Sequence, residues 1–155
     1  MSKDIPLIIL LKKMDQALQK IGPIEVNIQE KKVSKFYEIT KATGAPYLKE
    51  NIISPEYFMT LLAPIATKIF LKIMNLKDLP KINGIIHTQS EINFLKPLSY
   101  GSYLIISQME KLQKKKGKIG SYLVMTFRMS LINQQGDEIA NDIHQFFLRL
   151  KEEED

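Results

Sequence analysis

Ile119-Gly120-Ser121-Tyr122-Leu123-Val124-Met125-Thr126-Phe127-Arg128-Met129-Ser130-Leu131 is the stretch that decides the fold class. Leu123, Met125, Phe127, Met129 and Leu131 fall on one face, and Tyr122, Thr126, Arg128 and Ser130 on the other. Period-two alternation of this kind predicts an antiparallel strand with one face on a core and one toward water. Downstream, Asn133-Gln134-Gln135-Gly136-Asp137 reads as a hairpin turn, and Ile139 to Leu150 as the strand that returns from it. Upstream, Ser102 to Leu112 alternates, with Tyr103 and Ile105 opposite Leu104 and Ile106. Between these two strands Lys114, Lys115, Lys116, Gly117 and Lys118 predict a solvated turn. Ile85 to Phe94 is a further strand, closed by Lys96-Pro97 and a turn at Tyr100-Gly101. Lys81 to Lys151 is therefore strand after strand, with almost no helix.

Ahead of these strands lies Pro55 to Met74, apolar on most of a helical circumference at Phe58, Met59, Leu61, Leu62, Ile65, Ile69, Phe70 and Leu71. Such a helix is expected to be buried. Ser54 suits its N-cap and Pro55 its first turn, while Pro64 is expected to kink or split it. Residues 4–21 space Ile8, Leu11, Met14, Leu18 and Ile21 as an opening helix, with Asp4 as candidate cap and Gly22-Pro23 as the stop. Ile24, Val26 and Ile28 alternate as a short strand. Lys31 to Thr43 returns to helical spacing, with Gly44 just past its end, and Ala45 to Ser54 is a loop. The expectation is an α+β domain in which about five antiparallel strands wrap around one long central helix. We divide the chain into an N-terminal helical extension (1–22), a single domain (23–151) and an acidic, frayed tail (152–155).

Composition excludes several classes of function. At 155 residues, 45% apolar and 25% charged, the chain has the balance of a soluble globular domain. No uninterrupted apolar run is long enough to span a bilayer, and Lys12, Lys13 and Asp15 follow the short run Ile5 to Leu11 where a signal peptide would need small residues. A cytoplasmic protein without a membrane partner is expected. With no cysteine in the sequence, thiolate nucleophiles and Cys-based zinc sites are ruled out, and no His/Asp spacing suggests another metal. The net charge of +5 is carried almost wholly by lysine, with Arg128 and Arg149 the two arginines. Nucleic-acid readers favour arginine because its planar fork binds bidentately, so no nucleic-acid partner is expected. The lysine run has a second reading, a cationic rim that attracts a ligand phosphate.

Several phrases, taken in order, resemble the MaoC-like hot-dog family, in its acyl-thioester dehydratase and hydratase branch. Lys35 to Gly44, KFYEITKATG, is similar to that family's helix leading to an "ATG" corner. Ser54-Pro55-Glu56-Tyr57-Phe58 resembles the start of its central helix. Ile86 to Phe94 with Lys96-Pro97-Leu98 and Gly101 resembles a strand and turn of its N-terminal-type members. The similarity covers roughly residues 24 to 150 and implies the hot-dog fold. It also implies a substrate, an acyl-CoA or acyl-carrier-protein thioester, bound without a cofactor where two subunits meet. The implied substrate-binding positions are Thr43, Gly44, Pro46, Tyr47, Tyr57, Phe58, His87 and Phe94.

One departure matters more than the match. Active members carry an aspartate directly after the "ATG" and a histidine five residues on, a pair that performs general acid–base chemistry. Here Ala45 and Glu50 occupy those places, so no catalytic residue is carried over. The resemblance then implies a half that binds the acyl chain while a catalytic hot-dog subunit supplies the chemistry, as a heterodimer or, with a second copy, a homodimer. Whether this chain is itself an enzyme stays open. A thioesterase using Glu50 or Glu56 is the alternative, and a scaffold binding through its sheet edge is the third reading. His87 is the most tempting catalyst, though a structural role fits its phrase better; His144, near Phe146 and Phe147, reads as structural. Neighbouring strands are able to bring the two histidines together.

Overall fold

The structure, a computed structural model, describes residues 5–41 and 53–151. In chain order its elements are α1 (Leu7–Ile21), β1 (Ile24–Ile28), α2 (Glu30–Thr40), α3 (Pro55–Met74), β2 (Ile82–Phe94), β3 (Gly101–Gly117), β4 (Gly120–Ile132) and β5 (Glu138–Leu150). All strand pairs are antiparallel, and the five-stranded sheet has the order β1-β3-β4-β5-β2. The sheet curls over α3, which is the hot-dog arrangement that the resemblance implies.

β4 sits at the centre of the sheet, and Leu123, Met125, Phe127, Met129 and Leu131 are all buried, as their alternation predicts. The other face is not open to water as expected: Val124 and Thr126 are also buried, and Tyr122, Arg128 and Ser130 are half-buried. The core-face side chains meet Phe58, Leu62, Ile69 and Ile73 of α3 and Leu10, Met14 and Leu18 of α1 in one core. Each such side chain contributes about 1.5–3 kcal/mol by leaving water. α1 is also tied to the sheet by a polar contact. Asp15 Oδ1 accepts the Met109 backbone N–H at 3.0 Å, beside a register shift between Met109 and Lys111. A bulge frees a backbone donor from the ladder, and the aspartate satisfies it. Asp4, the expected cap of α1, lies outside the described residues; within them, Pro6 precedes the first turn without a side-chain cap.

Three further expectations need correction. The run Lys114–Lys116 is not a turn but the end of β3, paired with Leu123, Tyr122 and Ser121 of β4. Gly117 faces Gly120, so only Lys118 and Ile119 form the reversal. Backbone pairing with β4 holds the lysines in the ladder while their heads reach water. The central helix is not buried all round: Tyr57, Phe58, Leu62, Ile69 and Ile73 are, whereas Met59 and Leu71 are 51% and 53% exposed. The sheet, α1 and α2 cover part of the helix, and among the described residues Met59 and Leu71 are left open. Finally, Pro64 does not split α3, which runs unbroken to Met74. The proline is on the exposed face, so the Thr60 carbonyl that loses its partner meets water, and burial of the flanking face offsets the cost.

Ser54 is the cap expected, its Oγ accepting the Tyr57 N–H at 3.3 Å. α2 ends earlier than its spacing predicts, at Thr40, with Lys41 left-handed at φ 55°. The hairpin at Asn133–Asp137 forms as read, closed by the Asn133 N–H on the Asp137 carbonyl at 2.9 Å, with Gly136 at φ 86°. By length and composition α3 is apolar enough to cross a membrane, a property that a core helix packed on a sheet shares.

Candidate functional site

β2 is an edge strand, bonded to β5 on one side only. Its register with β5 sets which side chains face α3. Phe94 pairs with Ala140, Ser90 with His144, His87 with Phe146 and Ile85 with Leu148. Those β5 residues lie on the core face, since Leu148 and Ala140 are fully buried and Phe146 packs on Phe70 of α3 at 4.6 Å. Phe94, Ser90, His87 and Ile85 therefore point to the side that α3 occupies, yet all four are exposed. An uncovered furrow runs between α3 and the open edge of the sheet.

Two aromatic clusters mark its ends. At the start of α3, Phe58 meets Phe94 edge to face at 5.3 Å, with Phe58 fully buried and Phe94 39% exposed. Toward the far end, Phe70, Phe146 and His87 stack in succession, each pair at 4.6 Å. Twelve helical steps lead from Phe58 to Phe70, about 18 Å of helix. An extended apolar chain fits that dimension. Tyr57 looks the other way, toward Phe36 at 5.5 Å, and Tyr37 accepts the Ser54 N–H at 2.8 Å, so this aromatic group braces the N-terminus of α3. Burial pushes the Tyr57 phenol above its ordinary value and keeps it a neutral donor.

Of the sequence-predicted substrate positions, Phe58 and Phe94 are brought into contact, and His87 lies further along the same furrow. Tyr57 is at the mouth of α3 but turned to α2. Thr43, Gly44, Pro46 and Tyr47 lie outside the described residues, as do Ala45 and Glu50. Glu56 is exposed in the first turn of α3.

Sequence reasoning passed over the densest polar cluster of the furrow. His144 Nε2 is 2.8 Å from Asp142 Oδ2, and its Nδ1 is 3.1 Å from Ser90 Oγ and 3.2 Å from His87 Nε2. His87 Nε2 is also 2.9 Å from the Gln89 carbonyl. The histidines do meet, as neighbouring strands allow, but Ser90 and Asp142 carry no signal that sequence alone supplies. Only the shared face of Asp142, His144 and Phe146 was legible, from their two-residue spacing. Among the described residues no three histidine or carboxylate side chains gather in a way that would hold a metal ion.

Residues 17–142 match the family model described as the FAS1-like dehydratase domain region. No curated protein sequence matches the chain. Among solved structures, the chain is similar to the C-terminally truncated HadBC (3R-hydroxyacyl-ACP dehydratase) complex of Mycobacterium tuberculosis, at TM-score 0.57 and 16% identity, covering 81% of this chain and 90% of that one. It is similar also to the ChsH1-ChsH2 complex of the same organism, at TM-score 0.56, 12% identity and coverage of 96% and 95%. A third is smu.793 of Streptococcus mutans UA159 bound to acetyl-CoA, at TM-score 0.50, 16% identity and coverage of 84% and 82%. At these identities the likeness is one of fold.

Proposed function

Since the chain belongs to the FAS1-like dehydratase-region family of hot-dog proteins, we propose that it is a soluble, cytoplasmic acyl-thioester-binding subunit of a dehydratase or hydratase. In this reading it holds the acyl chain of an acyl-CoA or acyl-carrier-protein substrate while a partner hot-dog subunit supplies the dehydratase dyad. The observation that carries the reading is the furrow beside β2. Phe94, Phe146 and Phe70 line an open apolar track under an unpaired sheet edge, with Phe58 buried behind Phe94. Both features ask for a cover: the apolar side chains to leave water, and the edge to complete its ladder. A second hot-dog subunit docked along β2 meets both needs and closes the track into an acyl channel. Ala45 and Glu50, where active relatives carry Asp and His, support giving the acid–base chemistry to that partner.

The test is to purify the chain alone and with a hot-dog partner bearing the dyad, and to assay crotonyl-CoA hydration. Binding of the thioester by the isolated chain, with hydration of crotonyl-CoA only in the pair, is expected. Robust hydration by the isolated chain refutes the division of labour. A second reading, hydrolysis of the thioester by a carboxylate, draws on the exposed Glu56 in the first turn of α3. It requires acyl-CoA hydrolysis that disappears in Glu56→Gln.

A further inference from the structure

We propose that Ser90, His144 and Asp142 form a nucleophilic relay, with Ser90 as an acyl acceptor and His144 as its general base. The assignment follows from hydrogen-bond roles. An ionised carboxylate only accepts, so His144 Nε2 carries the proton it shares with Asp142 Oδ2 at 2.8 Å. In the neutral imidazole Nδ1 is then the lone-pair nitrogen. Two groups approach it, Ser90 Oγ at 3.1 Å and His87 Nε2 at 3.2 Å. The Gln89 carbonyl also only accepts, so His87 Nε2 bears hydrogen and is a donor, not a rival base. Ser90 is left with its hydroxyl aimed at an unprotonated imidazole that a carboxylate orients from behind. Nucleophile, base and orienting group within hydrogen-bond reach are the geometric signature of an activated hydroxyl.

Burial and backbone agree with that arrangement. The Asp142 side chain is 5% exposed and that of His144 13%, whereas Ser90 is open to the furrow. Asp142 Oδ1 is buried without a hydrogen-bond partner among the described residues, so the carboxylate is committed to the histidine alone. A half-satisfied buried carboxylate weakens a fold and marks a site kept for another reason. The β2 ladder slips between His87 and Gln89, and such bulges re-aim side chains next to active sites.

Two of the three groups and the aromatic track share one furrow, so the substrate class is an acyl thioester, a choice that rests on the function proposed above. Ser90 Oγ bonds to the thioester carbonyl carbon while His144 Nδ1 takes its proton; the C–S bond breaks and the proton passes to the departing sulfur. Water, giving its proton to the same Nδ1, then attacks the acyl-serine carbonyl. The C–Oγ bond breaks and Ser90 regains its proton. The sum is thioester plus water to carboxylic acid plus thiol, with no redox change. This is acyl transfer, and it does not need the dehydratase dyad that Ala45 removes.

A small alkyl fluorophosphonate, which needs no thioester recognition, tests the nucleophile in the full chain. Expected is one adduct, mapped by mass spectrometry to Ser90 and absent from Ser90→Ala. His144→Gln, whose amide cannot act as a base, slows its formation on the order of a hundredfold. His144→Ala with added imidazole recovers part of the rate. Asp142 acts through His144, so Asp142→Asn changes the pH profile of labelling, which lost packing alone leaves in place. No adduct at Ser90 in the folded chain, or a rate indifferent to His144→Gln and to imidazole, overturns the relay. Binding of a non-hydrolysable alkyl-CoA thioether keeps the two ideas apart. A chain that binds it yet leaves Ser90 unlabelled refutes the relay alone. A labelled chain that does not bind it refutes the thioester substrate alone.

Discussion

The Phe58–Phe94 contact gives the sharpest quantitative test, because the two rings touch yet differ in burial. Phe58 is fully buried, and truncating such a side chain removes its transfer free energy and leaves a cavity, costing about 3–5 kcal/mol. Phe94 is 39% exposed, so it withdraws only some three-fifths of its ring from water. Scaling the roughly 1.5–3 kcal/mol of a buried aromatic by that fraction gives about 1–2 kcal/mol for Phe94→Ala. The edge-to-face geometry, 5.3 Å and 62°, adds a coupling of about 0.5–1.5 kcal/mol, so the double variant loses less than the sum of the singles by that amount. Urea unfolding followed by far-ultraviolet circular dichroism, at one protein concentration, measures all four corners of the cycle. Against a total of about 5–15 kcal/mol, Phe58→Ala is a large loss, while Phe94→Ala leaves a folded protein in which acyl-chain binding can be measured. Equal costs at the two positions mean that the furrow is closed within the single chain, and zero coupling means that the rings do not touch. Either result refutes the reasoning.

Other perturbations probe separate links. Ser54→Ala removes the cap of α3 and is expected to cost about 1 kcal/mol, read as a lower unfolding midpoint. Tyr37→Phe leaves the buried Ser54 N–H without its acceptor, and about 1–3 kcal/mol should be lost in the same urea assay. Asp15→Ala frees the Met109 N–H at the β3 bulge; hydrogen exchange at that amide should accelerate. Burial alone raises the Glu138 carboxyl, but hydrogen bonds from Ser130, Arg128 and Asn141, with the Arg128 charge, bring it below its ordinary value. A depressed folded-state value stabilises above the unfolded value and is lost as pH falls through the folded one. Melting temperature should therefore drop on acidification through the glutamate range, and Arg128→Ala should flatten that part of the profile.

The architecture was legible wherever a periodic pattern met its own burial. The core face of β4 follows directly from Leu123 to Leu131, and Ser54-Pro55 marks the start of α3 to the residue. The lysine run misleads because charge reports what a side chain wants and says nothing of what its backbone pairs with. α3 misleads in the opposite way. An apolar circumference states that cover is needed, but not that the same chain provides it. The Ser90–His144–Asp142 cluster was hidden for a topological reason: Ser90 and His144 stand 54 positions apart, and the slip between His87 and Gln89 shifts the register by a step that no local pattern announces.

The strand order also has a consequence for how the molecule is made. β2 leaves the ribosome directly after α3, yet its one partner is β5, the last strand described. Until that late strand has been synthesised, the oily rod and its neighbour wait together without a mate. Closure through such distant pairing is intrinsically slow and leaves a sticky intermediate. Shortening the chain before Phe146 should thus trap a species that chaperones hold, whereas trimming beyond Lys151 should not.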